Sequence, residues 1–127
     1  MARIGDSTAR LALPLDVGTV SLVTGPTRSF LRLYHLPRPA SDFITERLAR
    51  AVSRLAVRLG TRPTRIRLTL RSRAGKVRIA LRVFRAGSAP VPLAPLVKGA
   101  PPEVQAEYRP GRSGGTLSFT SAIKRED

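Results

Sequence analysis

The sequence predicts an α+β domain: a small antiparallel sheet of about five strands with one amphipathic helix packed on one face, in the order β-β-α-β-β-arm-β. Three observations carry that expectation. Residues 65–85 alternate apolar and basic side chains with period two, on either side of a glycine-containing break. Residues 42–59 repeat apolar side chains at helical spacing. From residue 86 the chain is rich in Pro and Gly until a last alternating run begins at Thr116.

From the N-terminus, residues 1–9 read as a flexible arm. A core domain over 10–85 follows, then a Pro/Gly-rich arm or linker over 86–115, then a C-terminal strand and charged tail over 116–127. Arg10 to Leu15 alternates weakly, and Pro14 restricts it to an edge strand or a strand end. Gly18 to Thr24 is β-branched and alternating, so it reads as a strand, with Gly25-Pro26-Thr27 as a turn. Ser29 to Leu36 reads as a second strand. It is apolar on both faces apart from Arg32 and His35, which suggests a central position or a subunit contact.

After Pro37-Arg38-Pro39, Ser41 is placed to cap a helix, with Asp42 in its first turn. Ile44, Leu48, Val52, Leu55 and Leu59 form its apolar stripe, and Gly60 and Pro63 stop it. Arg47, Arg50, Arg54 and Arg58 run along the edge of that stripe, most of them with no acid four residues earlier.

The hairpin over 65–85 is the firmest element. Ala74-Gly75 as a two-residue loop sets Leu70 opposite Ile79, Leu68 opposite Leu81 and Ile66 opposite Val83, so both apolar sets share one side. The same register sets Arg71 against Arg78 and Arg67 against Arg82 on the other side. Like charges directly opposite each other destabilise a sheet, and the hairpin contains no acid to relieve them. Farther on, Pro90, Pro92, Pro95, Pro101 and Pro102 suggest an extended arm, from which Val91, Leu93, Leu96 and Val97 pack on the domain or reach a neighbouring subunit. Glu103 to Tyr108 reads as a short helical turn, Gly111 to Gly115 as a flexible loop, and Thr116 to Ile123 as the last strand.

Composition narrows the function. The chain has 127 residues and a formal charge of +15, far beyond what solubility requires. Such a balance favours nucleic acid first, an anionic membrane surface second and an acidic protein third. Arginine supplies 20 of the 23 basic residues, and it suits bidentate phosphate recognition better than lysine does. A GC-rich coding sequence also favours Arg over Lys, and the absence of Asn fits that origin. It does not account for the shortage of Asp and Glu. With no cysteine there is no disulfide framework, thiolate nucleophile or zinc cluster. No apolar run reaches the ~18 residues of a membrane span, and no signal-peptide core is present, so an intracellular protein is expected, nuclear or cytoplasmic.

Catalytic chemistry finds little support. His35 is the single histidine, the eight acids are scattered, and Asp42 with Glu46 at a helix start suits dipole compensation. Gly111 to Thr116 resembles a phosphate cradle only in its glycines, since it lacks the lysine of a P-loop. The expectation is therefore a non-enzymatic protein without metal or cofactor that binds nucleic acid, RNA rather than DNA, through phosphate contacts. Arg65, Arg67, Arg71, Arg73, Lys76, Arg78 and Arg82 form the expected site, with Arg47, Arg50, Arg54 and Arg58 extending it if the helix edge is continuous with the sheet. Phe84 is the one aromatic placed to stack on a base. The apolar 29–36 segment and the Pro-rich arm suggest a homodimer or larger homo-oligomer. The alternative is a peripheral, matrix-type viral structural or accessory protein that lies on anionic lipid and self-assembles; an acid-poor Arg/Leu/Pro/Ser/Ala composition also suits an overlapping reading frame.

Overall fold

A computed structural model describes residues 7–14, 18–59, 64–85, 93–111 and 115–123. The architecture is α+β, with one open five-stranded antiparallel sheet and two helices rather than one. In chain order these are β1 (Ser7–Pro14), α1 (Thr19–Leu33), α2 (Arg38–Leu59), β2 (Thr64–Arg73), β3 (Lys76–Arg85), a 3-10 turn (Ala94–Val97), β4 (Val104–Pro110) and β5 (Gly115–Ala122). The strands lie in the order β1-β2-β3-β5-β4, so β1 and β4 are the edges and β3 is central. β1 sits at an edge with Pro14 at its end, where the missing N–H interrupts no ladder.

The β2–β3 hairpin has the register its alternation predicts: Leu70 opposite Ile79, Leu68 opposite Leu81 and Ile66 opposite Val83. Both turn residues take positive φ, Ala74 at 53° and Gly75 at 75°, the combination required by a type I′ turn whose twist matches that of the strands. Ile66, Leu68, Leu70, Val77, Ile79, Leu81 and Val83 are all buried. Each such side chain contributes roughly 1.5–3 kcal/mol on burial, against some tenths for each like-charge pair on the opposite side. The core side decides the register and carries the charged side with it.

Residues 18–36 depart from expectation. The two strands read at 18–24 and 29–36 are replaced by α1 and its C-terminal turn. Thr19, Val23, Thr27 and Leu31 are buried at i, i+4, i+8 and i+12, a helical stripe built largely from β-branched residues. The Thr27 hydroxyl donates to the Val23 carbonyl at 2.7 Å, which satisfies a polar group that would otherwise count against burial. Pro26 lies inside the helix and cannot donate to the carbonyl of Leu22. Leu22 is on the exposed side, 54% accessible, so water can take over that carbonyl. The helix ends in a Schellman turn: His35 N–H donates to Arg32 O at 3.1 Å and Leu36 N–H to Leu31 O at 3.3 Å. His35, φ 52°, occupies the position that glycine usually takes. The two-sided apolar character of 29–36 thus belongs to one helix face and its cap, with Leu31 and Leu36 buried, Phe30 and Tyr34 half-buried and Leu33 left exposed.

α2 begins four residues before the expected start. Pro39 fits in the first turn, where its missing N–H is harmless. Ser41 is not the cap, because its N–H already donates to Pro37 O at 3.0 Å, and Asp42 falls beyond the first turn. Ala40, Phe43, Ile44, Leu48, Ala51, Val52 and Leu55 face the sheet, where Phe43 meets Phe119 of β5 edge to face at 5.8 Å between centroids. Of the Pro-rich segment, Leu93 and Leu96 are buried in the same core. Glu103 to Tyr108 is not a helical turn but belongs mostly to β4, which pairs with β5 through Val104 opposite Ser121 and Ala106 opposite Phe119. The chain can follow either geometry over so short a stretch, and the pairing decides. Of the loop read at 111–115, residues 112–114 lie outside the described residues.

Candidate nucleic-acid interface

Both helices and the 3-10 turn pack on one side of the sheet, and no described element covers the other. Strict alternation in β2 and β3 therefore sends every second side chain onto this outer face: Arg65, Arg67, Arg71 and Arg73 from β2, and Lys76, Arg78 and Arg82 from β3. All are exposed except Arg71, which is half-buried. Three like-charge pairs stand directly opposite each other: Arg67 with Arg82, Arg71 with Arg78, and Arg73 with Lys76. The neighbouring strands add two cations that sequence reasoning missed. Arg10 stands opposite Thr69 through the β1 pairing, and Arg109 opposite Thr116 through β4–β5. Arg10 was legible as an alternating strand residue but needed the partner strand to place it. Arg109 was hidden by the helical reading of its segment.

The rows form a pattern. One runs Arg71, Arg78, Thr120, and another runs Arg67, Arg82, Thr116. Four residues separate them along the strands, about 13 Å. Between them lies a row of short side chains, Thr69, Ala80 and Ser118, with Arg10 at one end and Glu107 at the other. The outer face is thus a shallow trough with guanidinium groups on both banks and a floor bearing hydroxyls. Glu107 is its single acid among the described residues, and it is held by Arg109 at 2.6 Å. That hydrogen bond, and then the charge of Glu107, raise the Arg109 pKa above its ordinary value.

Phe84 lies on the same face, half-buried, with the guanidinium carbons of Arg82 and Arg67 at 4.6 and 5.1 Å from its ring centre. The electron-rich ring face attracts both cations and lowers the strain of setting them opposite each other. It also means that the single aromatic of this face is already engaged.

The helix arginines do not extend the trough. α2 packs its apolar stripe on the core side of the sheet, so its flanks project away from the outer face. Arg47 is largely covered and has structural work: it lies 4.7 Å over the Phe43 ring and donates to Lys98 O at 3.2 Å, tying the segment after the 3-10 turn to α2. Arg50 pairs with Glu46 at 2.7 Å, Arg54 is exposed, and the Arg58 side chain lies outside the described residues. His35 is an exposed cap residue, and no group of three or more potential metal ligands occurs among the described residues. No described helix is long and apolar enough to cross a membrane. The chain matches no protein-family model, and no curated protein is significantly similar to it.

Proposed function

We propose that the protein is a non-enzymatic nucleic-acid-binding module that grips the phosphate backbone with the bare face of its sheet. The observation that carries this reading is the trough: a sheet face that no described element covers, crowded with guanidinium groups at the expense of mutual repulsion, with one acid among the described residues that is itself paired. A face selected only for solubility gains nothing from three opposed like-charge pairs, whereas a polyanion relieves all of them at once.

The chemistry favours backbone over base recognition, and RNA over DNA. Phe84 is occupied by Arg67 and Arg82, so the face has no free stacking platform. It also presents no helix to a major groove. A flat, hydroxyl-lined trough suits the wide, shallow minor groove of an A-form duplex, where the half-buried Thr69, Thr116 and Thr120 would meet 2′-hydroxyl groups.

Binding to duplex RNA, duplex DNA and single strands across a salt series tests the proposal. The expected result is a preference for duplex RNA that survives ~200 mM salt, with a slope showing several phosphates neutralised. Arg67→Glu combined with Arg82→Glu should abolish it. Ala80→Leu leaves the charge intact but fills the trough floor, and should weaken binding about tenfold with little change in slope. Weak binding indifferent to the ligand, lost at that salt and unaffected by Ala80→Leu, would reject the site, and vesicles of anionic lipid would then become the probe to try.

A further inference from the structure

The helix side of the molecule holds a second concentration of cations. Between the C-terminal half of α1 and the first turns of α2 lies a cleft of about 340 Å³. Leu31 and Leu36, both buried, line it together with the exposed Arg28, Arg32 and Arg38. Arg28 and Arg32 stand four residues apart on α1, a like-charge spacing that weakens a helix by some tenths of a kcal/mol. The one acid of the cleft, Asp42, reaches Arg38 only at 3.8 Å, with both side chains largely in water, so it neutralises little. The N-terminal turn of α2 supplies Arg38 and Ser41 to the same cleft. Here too, arginines gather with little counter-charge, but around a concavity.

Its location gives the cleft its meaning. The helices lie on the core side of the sheet, so the cleft and the arginine trough are on opposite sides of one small domain. We propose that the cleft is a second phosphate site and that one protein molecule thereby holds two nucleic-acid segments at once, one on each side. The inference rests on the nucleic-acid reading of the sheet face. The two sites divide the work by shape: the trough follows a run of phosphates, whereas the cleft takes a single phosphate group projecting from a second segment. A segment in the trough is tethered through the protein to a second segment in the same molecule's cleft, and each further molecule then meets both segments at a raised effective concentration.

Two short RNA duplexes carrying a donor and an acceptor dye test this, with anisotropy of one labelled duplex read in parallel and the oligomeric state followed by sedimentation. The wild-type protein should bring donor and acceptor together while sedimenting as a monomer before RNA is added. The triple variant Arg28→Gln, Arg32→Gln, Arg38→Gln should need about tenfold more protein for half-maximal transfer, yet bind a single duplex within about twofold of wild type. Arg50→Gln, Arg54→Gln, Lys98→Gln removes the same charge from exposed positions outside the cleft and should bridge normally. Asp42→Asn removes the acid of the rim and should lower the half-point. Single-duplex binding without energy transfer would overturn bridging and leave the sheet site standing. Equal loss in both triple variants would replace the cleft with diffuse charge. Bridging by a dimer with the cleft variant unaffected would assign it to two sheet faces. A flat anisotropy signal would remove the nucleic-acid reading itself, and this inference with it.

Discussion

Among the described residues, two hold the left-handed backbone region without being glycine. Ala74 at φ 53° occupies the first central position of the type I′ turn, and His35 at φ 52° closes the Schellman turn of α1. A side chain there crowds the following carbonyl by roughly 1–2 kcal/mol, part of which glycine would return as extra freedom in the unfolded chain. Ala74→Gly and His35→Gly should therefore each stabilise the protein by about 0.5–1 kcal/mol. The two residues belong to different turns, one closing α1 and one joining β2 to β3, so the double variant should show close to the sum. Urea unfolding with an unchanged m-value is the measurement; a lower midpoint for His35→Gly would mean that the imidazole makes a contact worth more than the strain.

At the scale of elements, legibility followed how many independent signals agreed. In β2–β3 the alternation, the glycine of the turn and the opposed apolar residues all specify one register, and Leu68 opposite Leu81 is where they place it. In α1 the signals conflict. Val20, Val23, Thr24 and Thr27 favour strand, Gly25-Pro26 punctuates, and only the spacing of Thr19, Val23, Thr27 and Leu31 speaks for helix. Tertiary burial of that stripe against α2 overrode propensity, and a partner helix cannot be seen in a local window. The trough divides the same way. The seven hairpin cations were readable because they lie on one hairpin, whereas Arg10 joined it only when β1 paired with β2, and Arg109 only when the β4–β5 hairpin docked on β3. The β4–β5 hairpin offers its own test. A Cβ added at Gly115 would lie 2.6 Å from the Tyr108 hydroxyl and 2.7 Å from its ring, so Gly115→Ala must displace that ring. A loss of about 1–3 kcal/mol is expected, recovered in large part by adding Tyr108→Ala, which a thermal-melt comparison of the single and double variants would reveal.

At the scale of the whole molecule, the charge imbalance acts on stability as well as on binding. With +15 on 127 residues and opposed arginines on one face, the native state repels itself. An anion that occupies the trough or the cleft binds the folded form preferentially and stabilises it by mass action. Sulfate or phosphate should raise the melting temperature by several degrees, about 1 kcal/mol, beyond chloride at equal ionic strength. Chloride alone acts by screening over about 10 Å and should do less. Equal effects of all three salts would mean that no structured anion site exists on either side. The single Arg67→Glu variant should also melt higher at low salt than the wild type, because it sets an acid directly opposite Arg82.

The edge strand β1 carries a consequence for how the chain acquires its shape. Its hydrogen-bond partner is β2, which arrives only after both helices have been made. The β2–β3 hairpin closes over two residues, whereas β1 must be brought back across the full length of the helical layer. We expect the hairpin to acquire protection early and β1 to dock late, leaving the outer side of β2 briefly unpaired in every folding molecule. Pulse-labelled amide exchange would order the two events, and simultaneous protection of Leu11 and Leu81 would reject the sequence. Until β1 docks, the unpaired edge can template another chain, but three arginines and a threonine alternate with its apolar residues from Arg65 to Arg71. The same charges that prepare a seat for phosphate thus keep unfinished molecules apart.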